Sequence, residues 1–215
     1  MHLKRQKVPK SWPITRKGTK YLVRPNSDIH SGIPILIILR DMLKIAQNRR
    51  EVKRAIHEKN ILLNNKKVTD EKNVAKLFDI VSIVPSKKNY KMIFSQKGKF
   101  ELEEIKNTEL NKKIVKIVNK KTVKKKKVQI NLSDGRNFIS DIKCNVGDSA
   151  VINFTSNKID KIIEFKEKNK VVVIAGNHIG EQGIITKINK EMKMAEISIN
   201  KNSANILIKQ IMVVE

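Results

Sequence analysis

Arg49, Arg50, Lys53 and Arg54 crowd four cations into six consecutive positions. On a helix, three- and four-residue spacing would place them within about two turns of one sector. There they could meet phosphates along one groove wall and release the counterions condensed on them. A second candidate is the loop of Gly176, Asn177, His178, Ile179, Gly180, Glu181, Gln182 and Gly183. Its glycines free the backbone to turn sharply and approach a partner closely. A dinucleotide site would need a helix after this loop, with its N-terminus meeting a pyrophosphate, whereas Ile184-Ile185-Thr186-Lys187-Ile188 is β-branched and reads as a strand. Catalysis finds no footing: there is no G-x-S-x-G elbow, zinc-ligand spacing or phosphate loop. His57 reads as a surface or packing residue, and Glu101, Glu103 and Glu104 beside Lys97, Lys99 and Lys106 read as mixed surface charge. No enzyme activity, catalytic residue, metal, cofactor or small-molecule substrate is expected.

The elements that would hold these groups follow from periodicity. Ile35, Leu36, Leu39, Met42, Leu43 and Ala46 recur at helical spacing between Pro34 and Asn48, with Pro34 suited to a first turn. A second helix is expected over Arg49–Asn60, with Val52, Ala55 and Ile56 on its apolar side and the four cations on the other. Ile61-Leu62-Leu63 reads as a strand, Asn64-Asn65 as a tight turn because Asn tolerates positive φ, and Lys66-Lys67-Val68 as the return. Ile80 to Val84 is expected as a buried strand stopped by Pro85.

From Tyr90 the period is mostly two. Val128, Ile130 and Leu132 alternate with polar residues, Asp134-Gly135 signals a hairpin, and Phe138 to Ile142 can run back beside them. Val151 to Phe154 and Ile159 to Phe165 continue the rhythm of a small barrel or sandwich. Val171 to Ala175, Ile184 to Ile188, Met194 to Ile199 and Ile206 to Val214 supply strands for a second barrel. The Lys-rich run Lys120 to Lys127 reads either as a solvated strand edge or as a phosphate contact.

Charge narrows the partner. The chain carries a net +25 over 215 residues, with 4% aromatics, so aliphatic side chains must form its cores. By segment the net is +8 for residues 1–40, +6 for 41–89, +10 for 90–170 and +1 for 171–215. Such a field needs a polyanion, either nucleic acid or an anionic membrane. The longest apolar run, Ile33 to Leu39, is interrupted by Pro34 and falls well short of the roughly 20 residues of a spanning helix. No lysine-rich amphipathic helix with bulky aromatics and no lipidation motif is present, so nucleic acid remains and no membrane partner is expected. The opening Met1-His2-Leu3-Lys4-Arg5 is no secretory signal, and the single Cys144 cannot form an intramolecular disulfide, so a cytoplasmic setting is expected. The first 30 residues mix cations with Pro9, Pro13, Gly18 and Pro25, hold too little apolar area for a core, and are expected to order on a partner. Within them, Trp12 and Tyr21 can pack against a neighbouring domain or stack on a base, with packing favoured.

Helix, basic helix, strand, polar turn and basic strand together resemble the alpha-L RNA-binding module of ribosomal proteins, pseudouridine synthases and tyrosyl-tRNA synthetases. That resemblance assigns RNA contact to Arg49, Arg50, Lys53, Arg54, Lys66 and Lys67, with Asn65 standing where the family usually has glycine. The loop from Gly176 to Gly183 resembles a KOW motif, with Gly176, Asn177, His178, Gly180, Gln182 and Gly183 facing RNA or protein. Further marks run in order along the chain: His2-Leu3-Lys4-Arg5, Pro9-Lys10-Ser11-Trp12-Pro13, Val23-Arg24-Pro25, His30-Ser31, Gly98-Lys99-Phe100 and Asp134-Gly135-Arg136. Over nearly its whole length the sequence resembles the archaeal and eukaryotic small-subunit ribosomal protein four of the e-type. A short segment before Pro34 and the lack of a long tail after the KOW-like part point to an archaeal form.

The resemblance implies a multi-module α+β fold: a basic N-terminal extension over residues 1–33, an alpha-L module over 34–89, a central small β-barrel or sandwich over 90–170 and a KOW-type β-barrel over 171–215. It also implies a structural role in the small ribosomal subunit, with ribosomal RNA and neighbouring ribosomal proteins as partners and no homo-oligomer. Lys4, Arg5, Lys7, Lys10, Arg16, Lys17, Lys20 and Arg24 become phosphate contacts of the extension. Two other classes stay open: an RNA-modifying enzyme using the alpha-L module as a tether, for which no catalytic segment is left over, and a transcription or translation factor using the KOW barrel to bind a protein.

Overall fold

A computed structural model of the chain describes residues 2–106, 110–123, 127–189, 191–199 and 202–214. The chain divides into two compact units, Met1–Asn111 and Lys112–Glu215. Both are built mostly from antiparallel strands, and the longest helix among the described residues has nine residues.

The first unit runs β1 (Leu3–Lys4), β2 (Tyr21–Leu22), β3 (Gly32–Pro34), a single turn α1 (Ile35–Ile37), α2 (Arg49–His57), β4 (Ile61–Leu63), β5 (Lys66–Lys67), β6 (Val74–Lys76), β7 (Ile80–Ile83), β8 (Lys88–Phe94) and β9 (Phe100–Glu104). Strands β5, β4, β7, β8 and β9 form one sheet in that order, while β1 pairs with β2 and β3 with β6. The core gathers Ile33 and Ile35 to Leu39 with Val52, Ile56, Val81, Met92 and Phe100. Gly32 sits where β3 and β6 meet so closely that a Cβ would fall 2.2 Å from the Ala75 carbonyl oxygen.

Three expectations change here. The helix expected from Pro34 to Asn48 is α1 followed by a wider π-type turn over Ile38–Met42, and Pro34 is its N-cap rather than a first-turn residue. Every residue from Gly32 to Leu39 is buried, so the segment has no polar face. Its run of isoleucines favours helix weakly, and Lys44 leaves the helical region at φ 54°. The boundary expected between residues 89 and 90 falls inside β8, which pairs with β7 on one side and β9 on the other. The division lies after Asn111 instead, because strand-like sequence continues across residue 90 and marks no break there. Finally, the N-terminal segment joins this core: Leu3 and Trp12 are buried in it, Asn26 Nδ2 donates to Asn73 Oδ1 at 2.7 Å, and Phe100 N donates to Ser11 O at 2.9 Å. Trp12 packs, as its amphipathic ring allows, whereas Tyr21 is exposed.

The second unit holds two five-stranded sheets. The first consists of β10 (Lys112–Thr122), β11 (Val128–Leu132), β12 (Asn137–Ser140), β13 (Ser149–Asn153) and β14 (Lys158–Ile163), ordered β12-β11-β10-β13-β14. The other consists of β15 (Lys170–Val173), β16 (Gln182–Asn189), β17 (Met194–Ile199), β18 (Asn202–Leu207) and β19 (Ile211–Val213), ordered β18-β17-β16-β15-β19. Each has its own aliphatic core. The single strand expected over Ile206 to Val214 is two, broken by a 3-10 turn at Ile208–Gln210. In the Lys-rich run, Lys120 to Thr122 end β10, and Lys124 to Lys126 lie outside the described residues. Asp134 shapes the β11–β12 turn: its Oδ1 accepts from Arg136 N at 3.0 Å, and Oδ2 lies 3.5 Å from the buried Lys113 ammonium.

Candidate nucleic-acid interface

The basic helix is fixed at its start by a local sequence signal. Asn48 Oδ1 accepts from Glu51 N at 3.0 Å, satisfying one helix-start donor, and Glu51 Oε2 reaches back to Gln47 N at 2.7 Å, tying down the residue before the cap. Val52 and Ile56 are buried, which turns the four cations outward. Those cations are not equivalent. Glu71, whose side chain is 3% exposed, receives Nε of Arg49 at 2.9 Å together with Arg49 Nη2, and its second oxygen lies 3.8 Å from Lys53 Nζ. Arg54 pairs along the helix with Glu58 at 2.8 Å but remains 82% exposed, and among the described residues Arg50 forms no ion pair. Thus Glu71 orients two cations of α2, while Arg50 and Arg54 carry the most open charge.

An open groove of about 880 Å³ runs beside α2. Lys53, Arg54, His57, Lys59 and Lys67 line it together with the buried Glu71. The Asn64-Asn65 turn adopts φ of 51° and 62°, the left-handed conformation expected of it. Asn65 therefore takes the backbone form that glycine would supply at this position. Asn64 is itself buried, donating to Asp79 Oδ1 at 2.7 Å and accepting from Ile80 N at 2.9 Å. This polar lock ties the β4–β5 hairpin, and with it exposed Lys66 and Lys67, to β7.

In the N-terminal segment Lys4, Lys7, Lys10, Arg16, Lys17, Lys20 and Arg24 are exposed. Arg5 is half-buried and turns inward: its guanidinium donates to Thr15 O at 2.6 Å, Thr19 O at 2.7 Å and Thr19 Oγ1 at 3.0 Å. Gly18 lies under that guanidinium at φ 139°, where a Cβ would stand 2.8 Å from Arg5 Nη2. Arg5 therefore clamps the loop that displays Arg16, Lys17 and Lys20. Arg5, Lys10 and Arg16 also share the rim of a hollow with Lys99, which sequence reasoning passed over as mixed surface charge. The link is the Phe100 N to Ser11 O hydrogen bond, for which spacing along the chain carries no signal.

In the second unit the loop glycines divide by task. Gly176 has φ of 95° and packs against Gln210, and Gly180 is buried at φ 89° with its N–H on Val173 O at 2.9 Å. Gly183 lies in β16, where a Cβ would fall 2.5 Å from Ser198 O. Asn177, His178 and Gln182 are exposed, and His178 Nδ1 lies 2.8 Å from Glu181 Oε2. Asn177 and His178 border a shallow hollow of about 310 Å³ facing Asn205 and Gln210. Cys144 is buried, and desolvation pushes its thiol up, with Asp148 adding and Lys120 opposing, so it is a poor nucleophile.

Comparison with known proteins identifies the family. Residues 1–31 match the RS4NT (NUC023) domain, and residues 86–159 match the ribosomal family S4e. The small ribosomal subunit protein eS4 of Methanocella arvoryzae is 36% identical over 190 residues, spanning 87% of this chain and 80% of the relative. The chain belongs to the ribosomal S4e family. The eS4 protein of Methanothermobacter thermautotrophicus is likewise 36% identical over 191 residues, covering 87% of this chain and 79% of its own length. That of Methanococcus vannielii is 32% identical over 208 residues, covering 91% and 84%. The crystal structure of the 30S ribosomal protein S4e from Thermoplasma acidophilum has the same fold, with a TM-score of 0.74 at 24% identity over 86% of this chain and 95% of that one. As an S4e-family chain with archaeal relatives, the protein is a structural component and not an enzyme.

Proposed function

We propose that this S4e-family chain is a constituent of the cytoplasmic small ribosomal subunit that binds folded ribosomal RNA and stabilises it during and after assembly. The observation that carries this reading is the groove beside α2, where Lys53, Arg54, His57, Lys59 and Lys67 converge from a helix and a hairpin, with Arg50 and Lys66 exposed nearby. Such a wall suits the phosphates of structured RNA, whose base edges are hidden in a deep, narrow major groove. The helix–helix–hairpin part of the first unit acts as an alpha-L module, and β15 to β19 act as a KOW-type module. Because residues 171–215 carry a net charge of only +1, the second module contributes by backbone shape, toward RNA or a neighbouring ribosomal protein. The partners are ribosomal RNA and adjacent ribosomal proteins, without a membrane or self-association.

The test is the salt dependence of binding to a small-subunit ribosomal RNA transcript. Replacing Arg50 and Arg54 together with alanine should make the slope of log K against log salt shallower by about 1.5, reflecting two lost phosphate contacts. An unchanged slope would show that α2 faces away from RNA. Both side chains are exposed, so the thermal unfolding midpoint should stay within a few degrees of the parent.

A further inference from the structure

The hollow in the N-terminal segment has a chemistry that phosphate binding alone does not use. Its volume is about 770 Å³, within the roughly 300–1,000 Å³ range of small-ligand sites. Val8, Pro9, Ile14 and Leu22 give it an apolar wall, and Trp12 is buried in its lining. Lys10, Arg16 and Lys99 stand around it, with Arg5 committed to clamping the adjoining loop. The Trp12 indole N–H is buried and has no acceptor among the described residues, an orphaned polar group in the lining of the hollow. An RNA duplex presents ribose and phosphate to a protein surface and would leave the apolar wall without a partner. An unstacked nucleotide matches both halves, with its base against the wall and its phosphates among the cations.

We propose that this hollow takes a single unstacked nucleotide of the bound RNA. The inference rests on the RNA-binding reading above and adds to it a site that selects a bulged or looped nucleotide over continuous helix. The Arg5 clamp makes the site preformed: it fixes the loop carrying Arg16, while the Phe100–Ser11 hydrogen bond fixes Lys99 beside Lys10.

Trp12 is the chain's only tryptophan, so its emission reports on the hollow directly. The full chain is titrated with an octauridylate, with an abasic ribose-phosphate octamer of equal charge, and with inorganic phosphate. The octauridylate should change Trp12 emission and bind about ten-fold more tightly than the abasic octamer, the difference expected when roughly 55 Å² of one base is buried against the aliphatic wall. In the Lys10→Ala/Arg16→Ala variant that affinity should fall several-fold, since both side chains are exposed and leave the core intact. An equal emission change with the abasic octamer or phosphate would overturn the proposal in favour of an anion site. Unchanged emission alongside intact binding of the ribosomal RNA transcript would overturn it while the RNA-binding reading stands. Loss of binding to both RNAs would remove the reading on which it rests.

Discussion

Asn64→Ala is expected to lower the stability of the first unit by about 3–5 kcal/mol. Asn64 is a 5%-exposed residue at φ 51°, and alanine pays about 1–2 kcal/mol to occupy that left-handed region. The substitution also removes the 2.7 Å donor to Asp79 Oδ1 and the 2.9 Å acceptor of Ile80 N, both in a buried setting. Each buried group losing a partner costs about 1–3 kcal/mol. The sum is a large part of the 5–15 kcal/mol typical of a domain. Urea unfolding followed by Trp12 emission reads this unit alone, because Trp12 lies in its core. Asn64→Gly separates the two causes: it relieves the backbone and should recover about 1 kcal/mol, leaving the hydrogen-bond loss. Equal losses for alanine and glycine would show that the left-handed backbone costs nothing here. Because the lock holds the β4–β5 hairpin, the alanine variant should also bind RNA more weakly, through displaced Lys66 and Lys67.

The same residue shows what was legible in the sequence. The Asn-Asn pair between Ile61-Leu62-Leu63 and Lys66-Lys67 announced a tight turn, and the turn is there with both residues at positive φ. That Asn64 also faces inward onto Asp79 was not legible, because the partner lies 15 residues away. The basic helix was equally plain, since Val52, Ala55 and Ile56 mark its apolar side within a few positions. Glu71, which sorts its cations into held and open ones, sits 22 residues from Arg49 in a loop whose composition carries no sign of the pairing.

Net charge misleads in a related way. Arg5 counts toward the positive field, yet three of its hydrogen bonds go to Thr15 and Thr19. Lys113 and Lys116 interrupt the alternation of β10 that would have exposed an 11-residue strand, because both are buried. Periodicity treats every lysine as outward-facing, so a strand that buries two of them reads as irregular. The family resemblance, carried by motifs such as Pro9-Lys10-Ser11-Trp12-Pro13, did not depend on any of these placements. It survived where residue-by-residue reading of orientation did not.

Lys116 carries the second large effect, in its dependence on pH. From β10 its ammonium donates to the carbonyl of Ile208 and, at 2.6 Å, to that of Ile211, bracketing the 3-10 turn that leads into β19. Burial pushes its pKa from 10.5 down to about 8. The unfolded chain therefore holds this proton more tightly than the folded one, so stability is lowest below about pH 8 and rises as pH climbs from 8 toward 10.5. At about 1.4 kcal/mol per pH unit the rise amounts to about 3 kcal/mol. Many exposed lysines also titrate at high pH, so the comparison that isolates this group is with Lys116→Met. Methionine keeps most of the volume, removes the charge and leaves the two carbonyls without their donor. Measured by urea unfolding across pH 7.5 to 10.5, the stability difference between parent and variant should shift by about 3 kcal/mol in favour of the parent as pH rises. Parallel curves would mean that the two carbonyls stabilise the ammonium enough to cancel its desolvation, and that the strap between β10 and the turn before β19 works fully charged throughout the range.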